Sequence, residues 1–276
     1  MIDFSTPSAD GTNLSGRHWA ADTPKAVMAL VHGFGEYSGR YSHMATYLNA
    51  NDISVVAVDF HGHGKTDGPR GVIKSYADFQ NDLTALLAKT RNLYPDIPVV
   101  LYGHSMGGGI VLDHGLRELD NLPIIASAPF IHPAQPIPKL MRVVVKTLCA
   151  VFSKGSIKQP IDGAKISNLP KEQEAYLADP LNHGTLGFKL AEGMVETGEN
   201  IGAKAADWDR PLLLLHSKSD QLTSYHASDE FGQTAKQVEF HSFDIVQHEM
   251  HNDKSRGEVY DLMLDFIRKQ TKTDTA

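Results

Sequence analysis

The stretch Gly103-His104-Ser105-Met106-Gly107 constrains this chain more than any other. It follows a short apolar run, Pro98–Tyr102, and precedes Gly108-Gly109-Ile110-Val111-Leu112, which reads as the start of a helix. A serine in G-x-S-x-G between a strand and a helix sits at the tip of a tight turn with strained backbone angles. Bulky neighbours at Gly103 and Gly107 would collide there, and glycine has no Cβ. The N-terminus of the following helix aims free N–H groups and the positive end of its dipole at the same point. Such a serine is suited to nucleophilic attack, with a developing oxyanion met by those N–H groups.

The rest of the chain agrees with a sheet built for such a turn. Its 276 residues, 41% of them hydrophobic, suit one large α/β domain carrying an insertion. A net charge of −7 argues against a basic face for nucleic acid. The single cysteine, Cys149, excludes an intramolecular disulfide framework and a cysteine-based metal site, and reads as a buried small hydrophobe. Met1–Ser5 lacks the basic and apolar regions of a signal peptide. No uninterrupted apolar run approaches the ~18 residues of a membrane span. A cytoplasmic protein is the expectation.

Ile2–Ser5 and Asn13–Ala20 flank the turn signal Ser8-Ala9-Asp10-Gly11 and predict an antiparallel hairpin. Ala26–Val31 and Ile53–Val58 are continuous apolar runs, as in strands buried on both faces. Glu36–Tyr41 leads into a helix through about Asn49. Ser75-Tyr76-Ala77-Asp78 resembles a capping box, and Tyr76, Phe79, Leu83, Leu86, Leu87, Thr90 and Leu93 follow at helical spacing. The helix after Ser105 is expected to reach about Leu119, and Pro123–Ser127 is another strand. Strands thus alternate with helices from 26 to 129, which predicts a mostly parallel sheet with helices on both faces. Over about 130–206 the rhythm breaks: six prolines occur and no buried strand is evident. Lys139, Arg142 and Lys146 share one helical face there, and Leu140, Val143–Val145, Leu148, Val151 and Phe152 make the rest apolar. A helical cap over the ligand edge of the sheet is predicted, with an apolar lining or a membrane-facing surface. Strands return at Pro211–Leu215 and about Gln237–Phe243. Ser255-Arg256-Gly257-Glu258 reads as a capping box for a last helix, frayed after Lys269.

A serine needs a base, and the base a third group to orient it. On α/β sheets of this kind they follow in the order serine, acid, histidine, beyond the carboxyl ends of strands. Asp220 fits the acid, with Asp207, Asp209 and Asp244 as rivals. Asp59 precedes Ser105 and is out of order. Either His248 or His251 fits the base. The N–H groups of Met106 and of Phe34, in His32-Gly33-Phe34-Gly35, fit an oxyanion hole. His61-Gly62-His63 reads as backbone-bonding histidines, and His248–His251 is one residue short of a zinc-helix motif.

Three segments carry a specific resemblance: His32–Tyr41 (HGFGEYSGRY), Asp59–Gly68 (DFHGHGKTDG) and Gly103–Gly108 (GHSMGG). They resemble the monoacylglycerol lipase family of α/β-hydrolases, whose pattern is shared by lysophospholipases and serine aminopeptidase-like enzymes. The resemblance runs from about residue 12 to 270 and is weakest across the insertion. It implies one α/β-hydrolase domain over 1–276 with a cap at about 130–206. It also implies Ser105 as nucleophile, Asp220 as acid and His248 as base, with Glu36, Arg40 and His251 facing a glycerol head group. Tyr37 stands where the family often has histidine. The expected reaction is metal-free and cofactor-free cleavage of a monoacylglycerol, with lysophospholipid or simple carboxylic ester hydrolysis as the nearest alternatives. A non-catalytic ligand-binding protein on the same fold is the alternative of another class. The expected partner is a small lipid ester, with no nucleic acid and with transient membrane contact through the cap.

Overall fold

A computed structural model describes residues 1–117 and 120–272. Strands β1 (Ile2–Pro7) and β2 (Asn13–Trp19) form the expected hairpin. They are followed by β3 (Ala26–Val31), helix α1 (Ser42–Asn49), β4 (Ile53–Val58), α2 (Ala77–Leu93), β5 (Val99–His104), α3 (Met106–Leu116) and β6 (Ile124–Ser127). Beyond an intervening segment come β9 (Asp209–Ser217), α8 (Tyr225–Thr234), β10 (Lys236–Phe243) and α9 (Arg256–Thr271). The segment itself holds α4 (Lys139–Val151), β7 (Ser156–Lys158), α5 (Gly163–Ile166), α6 (Pro170–Ala178), β8 (Thr185–Gly187) and α7 (Phe188–Ala203). The helix after Ser105 was expected to reach about Leu119, which lies outside the described residues. The last helix continues past Lys269 to Thr271.

Eight strands form one sheet in the order β1-β2-β4-β3-β5-β6-β9-β10. The first three pair antiparallel and the rest parallel. Every residue of β3, β4, β5 and β6 is buried, which is why these strands read as unbroken apolar runs. One face carries α2 through Phe79, Leu83, Leu86 and Leu87. The opposite face carries α1 and α9 through Met44, Leu48, Val259, Met263 and Ile267. The α/β-hydrolase architecture follows from that two-sided covering.

Between β6 and β9 the chain lies over the carboxyl ends of the strands. The antiparallel pair β7–β8 was not anticipated there, because three residues per strand are too few for periodicity to register. One side of this segment is tied to the loops after β3 and β4. The His183 N–H donates to the Gly35 carbonyl at 2.8 Å, and the Gly187 N–H to the Gly71 carbonyl at 2.8 Å. The Tyr37 hydroxyl donates to Asp179 at 2.8 Å, and the Arg40 guanidinium lies 4.6 Å from the centre of the Tyr176 ring. On the other side α4 packs against α7, burying Cys149, while Leu140, Met141, Val143, Val144 and Val151 stay exposed.

The pattern Ser255-Arg256-Gly257-Glu258 does not make a capping box. Ser255 has near-helical angles (φ −86°, ψ 5°), and its side chain caps nothing. The Arg256 N–H is taken by the Asp253 carbonyl at 3.1 Å, and Ser255 Oγ is buried without a partner. Losing a true cap costs about 1 kcal/mol. Ser255→Ala is therefore expected to change unfolding free energy by less than about 0.5 kcal/mol, because an unmade hydrogen bond has nothing to lose. Urea denaturation measures this, and a loss near 1 kcal/mol would mean that the cap forms in solution.

Candidate active site

Ser105 stands between β5 and α3 at φ 55° and ψ −117°, a region that non-glycine residues enter only under strain. Its neighbours explain the glycines. A Cβ on Gly103 would lie 2.3 Å from the Gly107 carbonyl oxygen, and one on Gly107 would lie 2.4 Å from that of Val31. The turn is fastened to β6: the Ser105 N–H donates to the Ser127 carbonyl at 2.9 Å, and the Phe130 N–H to the Ser105 carbonyl at 2.8 Å. Met106 opens α3, so its N–H has no acceptor within the helix. The loop after β3 abuts the serine, since a Cβ on Gly33 would come 3.3 Å from Ser105 Cβ. Phe34, next in that loop, lines the same cavity as Ser105. Ser105 Oγ itself has no hydrogen-bond partner among the described residues, a looseness common before substrate binds.

Asp220 follows β9 and His248 follows β10, and their side chains meet. His248 Nδ1 lies 2.6 Å from Asp220 Oδ2. Asp220 Oδ1 accepts the Leu222 and Thr223 N–H groups at 2.7 and 3.1 Å, and Oδ2 accepts the Thr223 hydroxyl at 2.9 Å. Burial works against both charges. The neighbouring His248 and His216 nevertheless hold the Asp220 carboxyl well below the usual carboxylate range. Burial likewise disfavours imidazolium at His248, but the Asp220 carboxylate outweighs it and raises the pKa above 6.5. The rival acids Asp207, Asp209 and Asp244 are all exposed. Of the two histidines read as backbone-bonding, His63 is, with Nδ1 2.9 Å from the His61 carbonyl, whereas His61 Nδ1 meets the Asp82 carboxylate at 2.8 Å.

A cavity of ≈ 410 Å³ opens at Ser105 and His248. The segment over the sheet lines it mostly with apolar side chains, Ile137, Ile161, Leu186, Met194 and Val195 among them, and adds Gln135, Gln159 and Lys165. Beside the serine the wall is acidic, with Glu36 and Glu249. Glu36 Oε1 accepts the Gly33 N–H and the Tyr41 hydroxyl, each at 2.6 Å. Arg40 donates to Glu36 Oε2 at 3.3 Å and holds Glu249 with both ends of its guanidinium. One cation thus serves two buried carboxylates. Burial, and then the charge of Glu249, push Glu36 up to about 7. Burial also opposes the charge on Glu249, but Arg40 holds its pKa below the ordinary value.

Ser105, Phe34, Glu36 and His248 therefore share the cavity wall, and Met106 and Asp220 lie directly behind it. Arg40 and His251 are not on that wall. His251 is fully buried, stacked on Tyr41 at 4.9 Å and edge-on to His104 at 4.8 Å. Among the described residues neither of its ring nitrogens has a partner, and burial lowers its pKa to about 4. Reading the sequence missed Glu249. Its position beside His248 was a signal, but nothing in the spacing pairs it with Arg40, 209 residues away.

A family profile described as serine aminopeptidase, S33, matches residues 22–255. The chain belongs to this family. It is a serine hydrolase of the α/β-hydrolase fold. A monoacylglycerol lipase from Mycolicibacterium smegmatis is 32% identical over 74% of this chain and 74% of its own length. A monoglyceride lipase from Rattus norvegicus is 31% identical over 78% of this chain and 72% of its own. Among solved structures, the monoacylglycerol lipase of Paleococcus ferrophilus superposes with a TM-score of 0.83 at 26% identity, covering 93% of this chain and 98% of that one. The resemblance carried by the three motifs is met.

Glu36 supplies a test of the buried charges. Its pKa rises from 4.5 in the unfolded chain to about 7 in the folded one. The folded state then binds the extra proton between these values, so the Glu36 contribution to stability falls as pH rises from 4.5 to 7. The stability of the wild type relative to Glu36→Gln is expected to decline over that window. Denaturation curves at several pH values measure it, and parallel pH profiles would mean that Glu36 titrates normally.

Proposed function

We propose that this protein hydrolyses monoacylglycerols to fatty acid and glycerol through an acyl-enzyme at Ser105. The observation that carries the reading is the cavity's unlike lining, mostly apolar under the cap and carboxylate-rich beside the serine. A single acyl chain suits the first part and free hydroxyls suit the second. Residues 1–276 act as one hydrolase domain, with about 130–206 as its cap.

His248 takes the Ser105 proton as the serine attacks the ester carbonyl, and Asp220 keeps the imidazole oriented. The N–H groups of Phe34 and Met106 receive the oxyanion, each contributing about 10²–10³ in kcat. His248 then protonates the leaving glycerol, and water releases the acid. Asp220–His248 contact at 2.6 Å and the shared wall of Ser105 and His248 support these roles. Glu36 meets a glycerol hydroxyl directly. Arg40 acts from behind by holding Glu36 and Glu249, and His251 backs the same wall as a neutral ring. The names of the relatives favour this substrate over other esters.

One experiment compares three proteins on two substrates, a monoacylglycerol and the methyl ester of the same acid. Ser105→Ala is expected to lose both activities by roughly 10⁶ in kcat, together with fluorophosphonate labelling. Arg40→Ala is expected to lose kcat/KM for the monoacylglycerol about tenfold or more beyond its loss on the methyl ester, because unpaired buried carboxylates then face the hydroxyls. Activity of Ser105→Ala within tenfold of wild type would reject the nucleophile. Equal losses on both esters would reject the head-group role.

The cap also touches lipid in this reading. Leu140 (76% exposed) and Val143 (62% exposed) share α4 with Arg142 and Lys146, the pattern of a helix lying in an interface. Leu140→Ser with Val143→Ser is expected to slow hydrolysis of monoacylglycerol dispersed in vesicles while sparing a water-soluble short-chain ester. Unchanged vesicle rates would remove membrane contact from the reading.

A further inference from the structure

Asp220 meets a second histidine. His216, next to last in β9, is fully buried, with Nε2 3.2 Å from the same Oδ2 that faces His248. That nitrogen also lies 3.3 Å from Thr223 Oγ1. On the far side of the ring, Nδ1 lies 2.8 Å from Ser228 Oγ on α8, and the Tyr225 ring stands edge-on at 6.0 Å. Ser228 is fully buried, and among the described residues the His216 nitrogen is its hydroxyl's one partner.

The donors and acceptors fit one tautomer of a neutral His216. An ionised carboxylate only accepts, so His216 Nε2 must carry its proton to meet Oδ2 favourably. Nδ1 is then an acceptor, and the Ser228 hydroxyl donates to it. With the ring neutral, the Ser228 O–H donates to His216 Nδ1, His216 Nε2–H lies between Asp220 Oδ2 at 3.2 Å and Thr223 Oγ1 at 3.3 Å, and His248 Nδ1–H donates to Asp220. Oδ1 is held by two backbone N–H groups, and Oδ2 is shared by Thr223, His216 and His248.

We propose that His216, kept in its Nε2–H tautomer by Ser228, is a positioning residue that fixes the catalytic carboxylate for His248. It touches neither substrate nor serine. Its N–H draws charge from Oδ2, so the carboxylate stays ionised and leaves the Nδ1 proton on His248 when the imidazolium forms. The groups facing Asp220 are His248, His216 and Thr223. Those whose charge is felt at His248 are Asp220, Glu249 and Glu36. The proposal rests on the triad assigned above.

The test measures kcat, KM, melting temperature and the far-downfield proton resonance of the His248–Asp220 hydrogen bond. Wild type is compared with His216→Leu, His216→Gln and Ser228→Ala. His216→Leu is expected to lower kcat by about 10- to 100-fold with KM nearly unchanged, and to broaden the resonance. His216→Gln keeps an amide N–H near the Nε2 position, so it should stay within about 3-fold of wild type and keep the resonance. Ser228→Ala frees the tautomer and should fall between the two, again with broadening. Equal kcat in the leucine and glutamine variants would overturn the proposal, since packing alone would then explain the histidine. Should the leucine variant not fold, Ser228→Ala decides: wild-type kcat with a sharp resonance overturns it, and a reduced kcat with a broadened one supports it. A wild type lacking both the resonance and fluorophosphonate labelling would overturn the triad, and this proposal with it. Labelling with normal variants would overturn this proposal alone.

Discussion

The first turn of α3 lies against the end of β3 with no side chain between them. Gly107 faces the carbonyls of Val31 and His32 at distances that no Cβ could keep. Everything near the serine depends on that contact. It sets how far Ser105 projects, brings the Gly33–Phe34 peptide beside it and aims the open end of α3 at the same point. Packing density forces the rest, because a helix held off by one methyl group would move the serine away from the loop that serves it.

The second governing feature is the way charge is buried. Two groups of ionisable side chains adjoin the serine, and they are built differently. Around Asp220, one carboxylate is surrounded by donors from four residues and stays ionised. Around Arg40, one cation serves two carboxylates, so one of them is left with a raised pKa. The first arrangement keeps a fixed charge beside an imidazole whose pKa it raises. The second leaves a carboxyl that shifts between donor and acceptor near neutral pH, beside the place where a leaving alcohol would stand.

Much of the fold was legible because buried parallel strands leave continuous apolar runs, as in Ala26–Val31 and Ile53–Val58. The serine turn was legible because its steric demands permit few residues at 103 and 107. Other features depend on contacts between distant segments and leave no local pattern. The pairing of Arg40 with Glu249 and the strands β7 and β8 are of this kind. At Ser255 the pattern suggested a cap that the backbone angles do not allow. At His216 the sequence showed only a polar residue at a strand end. Its meaning comes from a tautomer, and a tautomer is fixed by partners rather than by spacing.

The segment over the cavity is anchored to the loops after β3, β4 and β10 and to α3, but not through α4. Tyr37, Arg40 and Gly35 belong to the loop that flanks the serine, and they are also the residues that grip Asp179, Tyr176 and His183. The helix α4, by contrast, leans on α7 and faces outward. Descendants of this chain can therefore exchange α4 freely and so explore new surfaces and new acyl chains. They cannot exchange α6 without rewriting residues 35–40, because that half of the cover is bonded to the loop beside Ser105. Evolution by segment replacement has a seam here, and it runs through the cap rather than around it.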